Sequence, residues 1–370
     1  MGLTVCAVVM SGCGTTAGTT AGTTDTQGSS GAGVPAAVKA LVAEAGQPKP
    51  WKGPTTSPPM LKDKFIVSIP CSMASPGCAR WDAGVHAAAK ALGWKVLTID
   101  PVFDTNKMNQ AIQQAIDLHA DAIVTTVLDP AWVASPLAAA RRKGIVVLGG
   151  ANGQEDVPIT AEGFQHNMSL HGTQQGEWLA AQVCDDLNAE GHAIMITDPS
   201  FNVLTQRVDA VKSYLGKNCP KVSVKVEQVS ANDVGTVLQN KVSAFVQRNP
   251  DVKALISPVD LFATDVSTAL QQLGNHDVKV YSIDGNPDVI RNIDSGGSIR
   301  ATVGSALEWE GWSTIDDVNR LLQGKPAPDD DGVPGRMVTK DYIPKDFTYT
   351  GDIDYKAMFL KLWKTGSTQK

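Results

Sequence analysis

The sequence predicts an α/β fold with two lobes, each built on a mainly parallel sheet. From Lys64 onward, short β-branched runs alternate with amphipathic helical stretches, and the same alternation restarts after residue 170. The chain has 370 residues, which is enough for two globular lobes rather than one. Its hydrophobic content of 42% and charged content of 19% are ordinary for a globular protein, so both lobes are expected to have packed cores.

The first set of elements alternates four strands with three helices. The predicted strands are 65–69, 95–99, 122–127 and 145–148, and the predicted helices are 80–92, 106–118 and 131–143. In the second of these helices, one face carries Met108, Ala111, Ile112, Ala115 and Ile116. Strands that alternate with amphipathic helices predict right-handed βαβ units and a parallel sheet.

The second set repeats this arrangement. Its predicted helices are 170–187, 203–215, 234–248 and 308–322, and its predicted strands are 192–196, 222–229, 254–257, 278–283 and 299–303. Sheets of this kind bind ligands at the carboxyl ends of their strands. Two such edges that face each other make a cleft, and this cleft is the predicted binding site.

Four of the six cysteines lie in the two α/β sets. Cys71 and Cys78 are seven residues apart, and Cys184 and Cys219 bracket a stretch of the second set. Two even pairs in the folded region predict disulfides and an oxidising compartment. The alternative is four buried free thiols, and the connectivity does not follow from the sequence alone.

The N-terminus is predicted to be a targeting segment. Residues 1–12 contain an apolar stretch that ends in small residues, as the latter part of a secretory signal does. The run Met10-Ser11-Gly12-Cys13 resembles a bacterial lipobox, which implies cleavage before Cys13 and a lipid on its sulfur. Residues 13–61 are predicted to be a flexible Gly- and Thr-rich tether and a Pro-rich extension. The alternative is an ordinary signal peptide with a chance cysteine.

Composition and motif spacing exclude several functions. The net charge of -6 argues against nucleic acid as a partner, and no run of 18 apolar residues predicts a membrane span. His166 and His171 are five residues apart and lack the HExxH pattern of a metal site. The sequence has no dinucleotide-binding glycine motif, P-loop, nucleophile elbow or paired-carboxylate constellation. We therefore expect no metal, no cofactor and no enzyme activity.

Four short runs occur in an order that matches a known family. They are Trp81-Asp82-Ala83-Gly84, Asp121-Ala122-Ile123-Val124, Tyr281-Ser282-Ile283-Asp284-Gly285-Asn286-Pro287 and Ile299-Arg300-Ala301-Thr302-Val303. Together they resemble the type I periplasmic binding proteins, the ribose- and galactose-binding kind, over residues 62–339. The resemblance implies two Rossmann-like lobes joined by a three-segment hinge, with crossings near Gln165, Gly304 and Met337. It implies an N-terminal lobe of 62–165 plus 304–336, and a C-terminal lobe of 166–303 plus 337–370.

Candidate ligand residues in the second lobe follow the ends of predicted strands. Asp284 matches a ligand-binding Asp of the family, and Arg207 aligns with an Arg that grips sugar oxygens. Asp260 follows the strand at 254–257. Carboxylate and guanidinium groups suit paired hydroxyls because both bond in a planar, bidentate way. The alternatives are a turn residue at Asp284, a surface Arg at position 207 and a helix cap at Asp260.

The first lobe supplies further candidates. Ser72, Met73 and Ser75 lie in the loop after the first strand, where a disulfide would stiffen the site. Asp129 follows the third strand, and Trp132 opens the next helix, where its ring either stacks on a sugar or packs in the core. The remaining candidates are Asn152, Phe201 and Trp309.

The end of the fourth strand departs from the family pattern. Sugar binders of this family often carry Asp-Arg there, whereas this chain has Gly149-Gly150-Ala151-Asn152. Asn152 is expected to replace part of the missing contact. The two glycines predict open space, and therefore a ligand that is bulkier or less hydroxylated than a pentose.

The resemblance implies an extracytoplasmic solute-binding lipoprotein, held at the cell membrane only by its N-terminal lipid. It would capture a small polar ligand, a sugar or polyol, by hinge closure and deliver it, as a monomer, to the permease of an ABC importer. The first alternative is a ligand-sensing lipoprotein that reports to a membrane receptor. A lac-repressor-type regulator would need an N-terminal helix-turn-helix, and an envelope enzyme would need a catalytic constellation.

Overall fold

The computed structural model describes residues 33–153 and 163–368. The predicted signal segment and the predicted lipidation site Cys13 lie outside the described residues. Within the described ranges, no helix has the length and apolar character needed to span a bilayer.

The first half of the chain builds a five-stranded parallel sheet. Its strands are β1 (Phe65–Pro70), β2 (Lys95–Thr98), β3 (Ala122–Thr126), β4 (Val146–Gly150) and β5 (His166–Met168), in the spatial order β2-β1-β3-β4-β5. The helices of this half are α1 (Ala36–Ala45), α2 (Pro76–Ala91), α3 (Thr105–Asp117) and α4 (Pro130–Arg142). Every residue of β3 is buried, as expected for a parallel strand covered on both faces.

The second half builds a six-stranded sheet. Its strands are β6 (Glu190–Thr197), β7 (Lys221–Gln228), β8 (Val252–Ile256), β9 (Lys279–Asp284), β10 (Ile299–Ser305) and β11 (Gly335–Val338), in the order β11-β10-β9-β8-β6-β7. The helices are α5 (Gly172–Asp186), α6 (Asn202–Asn218), α7 (Thr236–Arg248), α8 (Asp260–Gln272), α9 (Pro287–Asp294), α10 (Leu307–Leu322) and α11 (Tyr355–Thr368). Only β11 pairs antiparallel among these described strands. The predicted two-lobed α/β fold is confirmed.

Local sequence signals explain where several elements begin. Asp104 caps α3, because its side chain accepts hydrogen bonds from the backbone amides of Asn106 and Lys107. Proline occupies the first turn of α2, α4 and α9, where its missing amide hydrogen costs nothing. The apolar face predicted for α3 is buried in full, so that pattern is confirmed.

Helix α10 follows a strand of the second sheet but packs on the first. It lies against α2 and β4, and two glycines make this close approach possible. A Cβ atom on Gly84 of α2 would lie 2.3 Å from the Glu308 carbonyl oxygen. A Cβ atom on Gly311 of α10 would lie 2.5 Å from the Trp81 carbonyl oxygen. The range 337–370 divides in the structure, because β11 joins the second sheet whereas α11 packs against α10.

The described part of the N-terminal extension is packed on both halves of the molecule. Helix α1 lies against α5 of the second half. The chain then reaches helix α10, which packs on the first sheet. There Trp51 stacks on Trp309 with ring centroids 4.9 Å apart. Further along, the amide of Leu61 donates to Asn319 Oδ1 at 3.0 Å, and Trp94 Nε1 donates to the Leu61 carbonyl at 2.9 Å. The extension therefore crosses from one half to the other.

Both predicted cysteine pairs are disulfides in the structure. Cys71 joins Cys78 beside the first strand, and Cys184 joins Cys219, so that α5 is linked to the end of α6. The second bridge closes the longer loop, with a sequence separation of 35 against 7.

Removing the longer bridge is expected to cost more stability than removing the shorter one. In the chain-entropy account, a disulfide stabilises more when it closes a longer loop, typically by about 2–4 kcal/mol. The double variant Cys184→Ala/Cys219→Ala should lose about 1 kcal/mol more of the free energy of unfolding than Cys71→Ala/Cys78→Ala. Urea unfolding followed by circular dichroism measures both, and an equal or reversed cost would contradict the expectation.

Candidate ligand-binding cleft

A cavity lies between the two sheets, at the carboxyl ends of their strands. Its walls come from segments that follow β1, β3 and β4 on one side and β6, β8 and β9 on the other. The cavity volume is about 60 Å³, and one enclosed water needs roughly 10–15 Å³ on this scale. The polar and aromatic lining residues are Ser75, Thr126, Arg207, Asp284, Phe103, Phe201 and Phe262. The cavity between the lobes therefore has room for a few water molecules, or for a compact solute that replaces them.

Arg207 and Asp284 form a buried ion pair in the wall of this cavity. Arg207 Nη1 lies 3.3 Å from Asp284 Oδ1 and donates to the Pro258 carbonyl at 2.7 Å. Its Nη2 donates to Gln175 Oε1 at 2.9 Å. Its Nε is also buried, yet it has no hydrogen-bond partner among the described residues. A buried donor without a partner is costly, so Nε is the donor that a ligand oxygen would satisfy.

Asp284 ends β9 in a backbone conformation that is rare for a residue with a side chain. Its φ is 134°, in the region that favours glycine. Burial raises the pKa of Asp284, and the positive charges of Arg207 and Arg80 oppose that rise. Backbone strain of this kind costs about 1–3 kcal/mol and tends to be kept at functional sites. The strain supports a functional role for this carboxyl group.

Aromatic rings from the two lobes meet at the edge of the cavity. Phe201 precedes α6 in the second lobe and makes edge-to-face contacts with Trp132 and Phe103 of the first lobe, at centroid distances of 5.3 and 6.3 Å. Asn202 Nδ2 donates a hydrogen bond to Asp129 Oδ2 across the same gap. Burial raises the pKa of Asp129, whose other oxygen caps α4. Of these five residues, only Phe103 and Phe201 line the cavity itself.

Arg80 is a second contact between the lobes, and no pattern in the sequence predicted it. Its guanidinium group forms an ion pair with Glu308 at 2.8 Å. It also donates to Asn286 Oδ1 and to four backbone carbonyl oxygens, those of Asp284, Gly285, Ser305 and Tyr349. Because Arg80 lies on α2 of the first lobe, these bonds hold α2 against the carboxyl end of the second sheet. In the sequence, Arg80 looks like an ordinary surface arginine on a predicted helix.

Asp260, the third predicted ligand residue of the second lobe, does not line the cavity. Its side chain accepts hydrogen bonds from Ser282 Oγ at 2.5 Å, from Thr302 Oγ1 at 2.9 Å and from the Asn286 amide at 2.7 Å. Burial, together with the nearby carboxylate of Asp284, raises the pKa of Asp260. These contacts are all within the second lobe, so Asp260 fixes the strand ends that carry Asp284.

Asn152 and the glycines before it also serve the first sheet rather than the cavity. Asn152 Oδ1 accepts from the Leu128 amide at 2.9 Å, and its Nδ2 donates to Thr125 Oγ1 at 2.8 Å. A Cβ atom on Gly150 would lie 1.7 Å from Glu310 Oε1, and one on Gly149 would lie 2.1 Å from the Thr125 carbonyl oxygen. The space beside both glycines is therefore filled by protein. The expectation that they make room for a bulkier ligand is wrong.

Of the three residues predicted in the loop after β1, only Ser75 lines the cavity. Ser72 is buried and its Oγ accepts from the amide of Ala74 at 3.1 Å, while Met73 is 38% exposed. Neither residue lines the cavity, whereas Cys71, Cys78 and Ser75 do. The disulfide itself is thus part of the wall. Ser75 precedes the proline at the start of α2. The polar residue that was not predicted is Thr126, and its position at the end of β3 is the signal that would have identified it.

Trp309 is a packing residue that does not line the cavity. It is fully buried and stacks between Trp51 and Tyr355, with centroid distances of 4.9 and 5.5 Å. Its position near the start of a predicted late helix had made it a candidate for the wall of the ligand site. In the structure that face of α10 meets the N-terminal extension and α11.

Glu310 is a buried carboxyl group without a hydrogen-bond partner. It lies on α10 and is fully buried, and neither of its carboxyl oxygens has a partner within the described ranges. Burial raises the pKa of Glu310 to about 8, with further contributions from Asp331 and Asp284 that Arg207 opposes. The folded protein therefore binds a proton here that the unfolded chain releases at a lower pH.

This carboxyl group predicts a stability that falls as the pH rises. The contribution is complete below pH 4.5, the reference pKa, and is lost progressively up to pH 8, at about 1.4 kcal/mol per pH unit. The isosteric variant Glu310→Gln should remove this slope. Urea unfolding of both proteins between about pH 5.5 and 7.5 checks it, and identical slopes would show that Glu310 does not carry the effect.

Comparison with known proteins places this chain in a family. Residues 66–326 match the model of the periplasmic binding protein domain. The chain therefore belongs to the periplasmic binding protein family, and the resemblance seen in its sequence runs is confirmed.

Individual relatives agree with this membership. The chain is 22% identical over 302 residues to the ribose import binding protein of Bacillus subtilis, covering 81% of this chain and 95% of that protein. It is 27% identical over 225 residues to a D-apiose import binding protein of Actinobacillus succinogenes, covering 59% and 69%. A solute-binding protein of an ABC transporter from Agrobacterium vitis, solved with bound allitol, superposes with a TM-score of 0.68 at 25% identity, covering 76% and 96% of the two chains.

Proposed function

We propose that this protein is an extracytoplasmic solute-binding protein that captures a sugar or polyol and delivers it to an ABC importer. The observation that carries the proposal is the cavity between the lobes, where Arg207 Nε is a buried donor without a partner beside the Asp284 carboxyl group. A guanidinium group and a carboxyl group side by side suit neighbouring hydroxyls, and the rings of Phe103 and Phe201 suit the C–H face of a sugar.

Relatives support the ligand class and the transport role. Two of them are named as import binding proteins for ribose and for D-apiose, and a third was solved with a polyol, allitol. These names describe binding and import rather than catalysis, so we assign this chain a binding role. The matched domain is that of periplasmic binding proteins, which supports a place outside the cytoplasm.

The mechanism that fits the geometry is closure of two lobes on the ligand. Three connections join the sheets, between β5 and α5, between β10 and α10, and between α10 and β11. They support a hinge near Gln165, Gly304 and Met337. Because β5 pairs with β4 in the first sheet, the first lobe extends past residue 165 to 168, and the proposed lobes are 62–168 plus 306–334 and 169–305 plus β11. A ligand that contacts both lobes only when they are closed shifts the population toward the closed form.

We further propose that the protein acts as a monomer and is anchored by a lipid on Cys13. The lipobox-like run 10–13 and the Gly- and Thr-rich segment after it support the anchor. Mass spectrometry of the protein from a bacterial membrane fraction tests it: a diacylglycerol-modified Cys13 is expected, and an unmodified mature N-terminus would contradict it.

A thermal-shift screen of residues 33–370 tests the proposed ligand class. A ligand present at 100 times its dissociation constant should add about 2.7 kcal/mol of stability. We expect the largest shift within a panel of pentoses, hexoses and alditols, and no shift with nucleosides or amino acids. A shift confined to the latter classes, or none across the sugars and polyols, would overturn the proposal.

A further inference from the structure

A histidine and two aspartates converge at the hinge, outside the cavity. His166 lies on β5, Asp317 on α10, and Asp331 in the segment between α10 and β11. His166 Nε2 is 3.5 Å from Asp317 Oδ2 and 3.2 Å from Asp331 Oδ2. The ligand atoms of the three residues all lie within 4.8 Å of one another. None of the three lines the cavity between the lobes.

Both carboxyl groups of this cluster are buried, and of their four oxygens only Asp331 Oδ2 has a hydrogen-bond partner among the described residues, namely His166 Nε2. The Asp317 side chain is 1% exposed and that of Asp331 is 3% exposed. Both oxygens of Asp317 and Oδ1 of Asp331 have no hydrogen-bond partner among the described residues. Buried polar atoms are almost always satisfied, so three buried oxygens without partners in one cluster favour a positively charged group between them.

The nearest arginine does not supply that charge. Arg320 Nε is 4.0 Å from Asp317 Oδ1, beyond hydrogen-bonding reach, because it pairs with Asp316 at 2.7 Å. Burial raises the pKa of Asp317, and Asp331 and Asp316 raise it further. Two carboxyl groups and one imidazole therefore share a buried site. Among the described residues, no positively charged side chain is hydrogen-bonded to either oxygen of Asp317.

We propose that His166, Asp317 and Asp331 bind a divalent transition metal ion of the zinc class. Such ions take one imidazole nitrogen and carboxylate oxygens at about 2.0–2.2 Å. In tetrahedral geometry those bonds put neighbouring ligand atoms about 3.3–3.5 Å apart. The 3.2 and 3.5 Å separations at His166 match this spacing. The imidazole ligand favours zinc over calcium or magnesium, which prefer ligand sets made of oxygen alone.

The metal would act on the hinge rather than on the ligand. Its three ligands come from a strand that ends the first sheet, from the helix that returns to that sheet, and from the segment leading to β11. One ion would tie these connections together. His166 is 15% exposed, the most of the three, and offers the route of entry. The three ligand residues are far apart in the chain, so no sequence motif with a fixed spacing indicates this site.

Metal binding to the full chain tests this inference. The protein is freed of metal with a chelator, dialysed, and titrated with Zn²⁺ in a calorimeter, with bound zinc counted by mass spectrometry. We expect one zinc ion per chain and a rise in the unfolding temperature that the chelator reverses. Co²⁺ in its place should give the strong visible absorption of a tetrahedral site.

Two variants make the outcome specific. Asp317→Asn keeps the shape and removes a buried charge, so it should fold, and it should lose zinc binding at least tenfold. The control is His192→Gln, which breaks a surface His–Asp pair with Asp251 and should bind zinc as the unmodified protein does. The proposal is overturned if no zinc binds, if Asp317→Asn binds it unchanged, or if that variant matches the zinc-bound stability without metal, which would show that the carboxyl pair holds only a proton.

Discussion

Replacing Arg207 with methionine is expected to weaken binding of the sugar or polyol at least ~100-fold. Methionine keeps the apolar part of the side chain but removes every donor. The hydrogen bond from Nε to a ligand oxygen would be lost together with the buried positive charge. Truncating one partner of such a buried charged contact costs about 2–5 kcal/mol of binding, and each 1.4 kcal/mol is about tenfold in affinity. Isothermal titration calorimetry with the best ligand from the thermal-shift screen measures this loss.

The loss of the buried ion pair must be separated from the loss of ligand contact. Removing one partner of a buried pair costs about 3–5 kcal/mol of stability. The double variant Arg207→Met/Asp284→Asn leaves no unpaired charge and should regain stability without regaining affinity. The matched control is Arg291→Met, because Arg291 pairs with Asp288 on the surface. Ligand affinity of Arg207→Met within threefold of the control would contradict the assigned site.

Replacing Trp309 with alanine is expected to lower the free energy of unfolding by about 3–5 kcal/mol, the usual cost of truncating a buried tryptophan. The reason is its position between the rings of Trp51 and Tyr355, which join the N-terminal extension and α11 to α10. Urea unfolding followed by circular dichroism measures the loss. Ligand affinity should stay within twofold, because Trp309 does not line the cavity.

A conservative variant makes this second prediction specific. Trp309→Phe keeps a flat ring in the stack and should lose less than half as much stability as Trp309→Ala. If instead Trp309→Ala retained full stability and lost its affinity for the ligand, then Trp309 would be a ligand wall, as its position in the sequence first indicated.

Long periodic segments of this chain were predictable, and two of the short ones were not. The face of α3 and the apolar run of β3 have clear spacing, and both have the predicted burial. Strand β5 (His-Asn-Met) has no β-branched residue and β11 (Gly-Arg-Met-Val) has one, so neither shows the β-branched run that made the equally short β2 visible in the sequence. Their pairing depends on partners that are distant in the chain.

Among the acidic candidates of the second lobe, the cavity residue was predictable only where the strand end itself carries it. Asp284 is the last residue of β9 and reaches the cavity, whereas Asp260 lies three residues past a serine that ends its strand region and already belongs to α8. In the sequence, Asp284 and Asp260 both look like an acidic residue that follows a strand. What separates them is the hydrogen bonding of Asp260 to Ser282 and Thr302, which sequence alone does not contain.

Contacts that cross between lobes were not predictable from spacing. Arg80 meets backbone oxygens more than 200 residues away, and the ring of Phe103 meets Phe201 across the cavity edge. Such pairs depend on how the two lobes close, and each residue looks ordinary in its own segment.

Small-angle X-ray scattering, with and without saturating ligand, tests the central claim most directly. The claim is that a sugar or polyol binds in the cavity between the lobes and holds them closed through contacts with both. The account predicts that the radius of gyration falls when the ligand is added, and that Arg207→Met shows no such fall at the same concentration. An unchanged radius of gyration in the presence of ligand that calorimetry shows to be bound would contradict closure on the ligand.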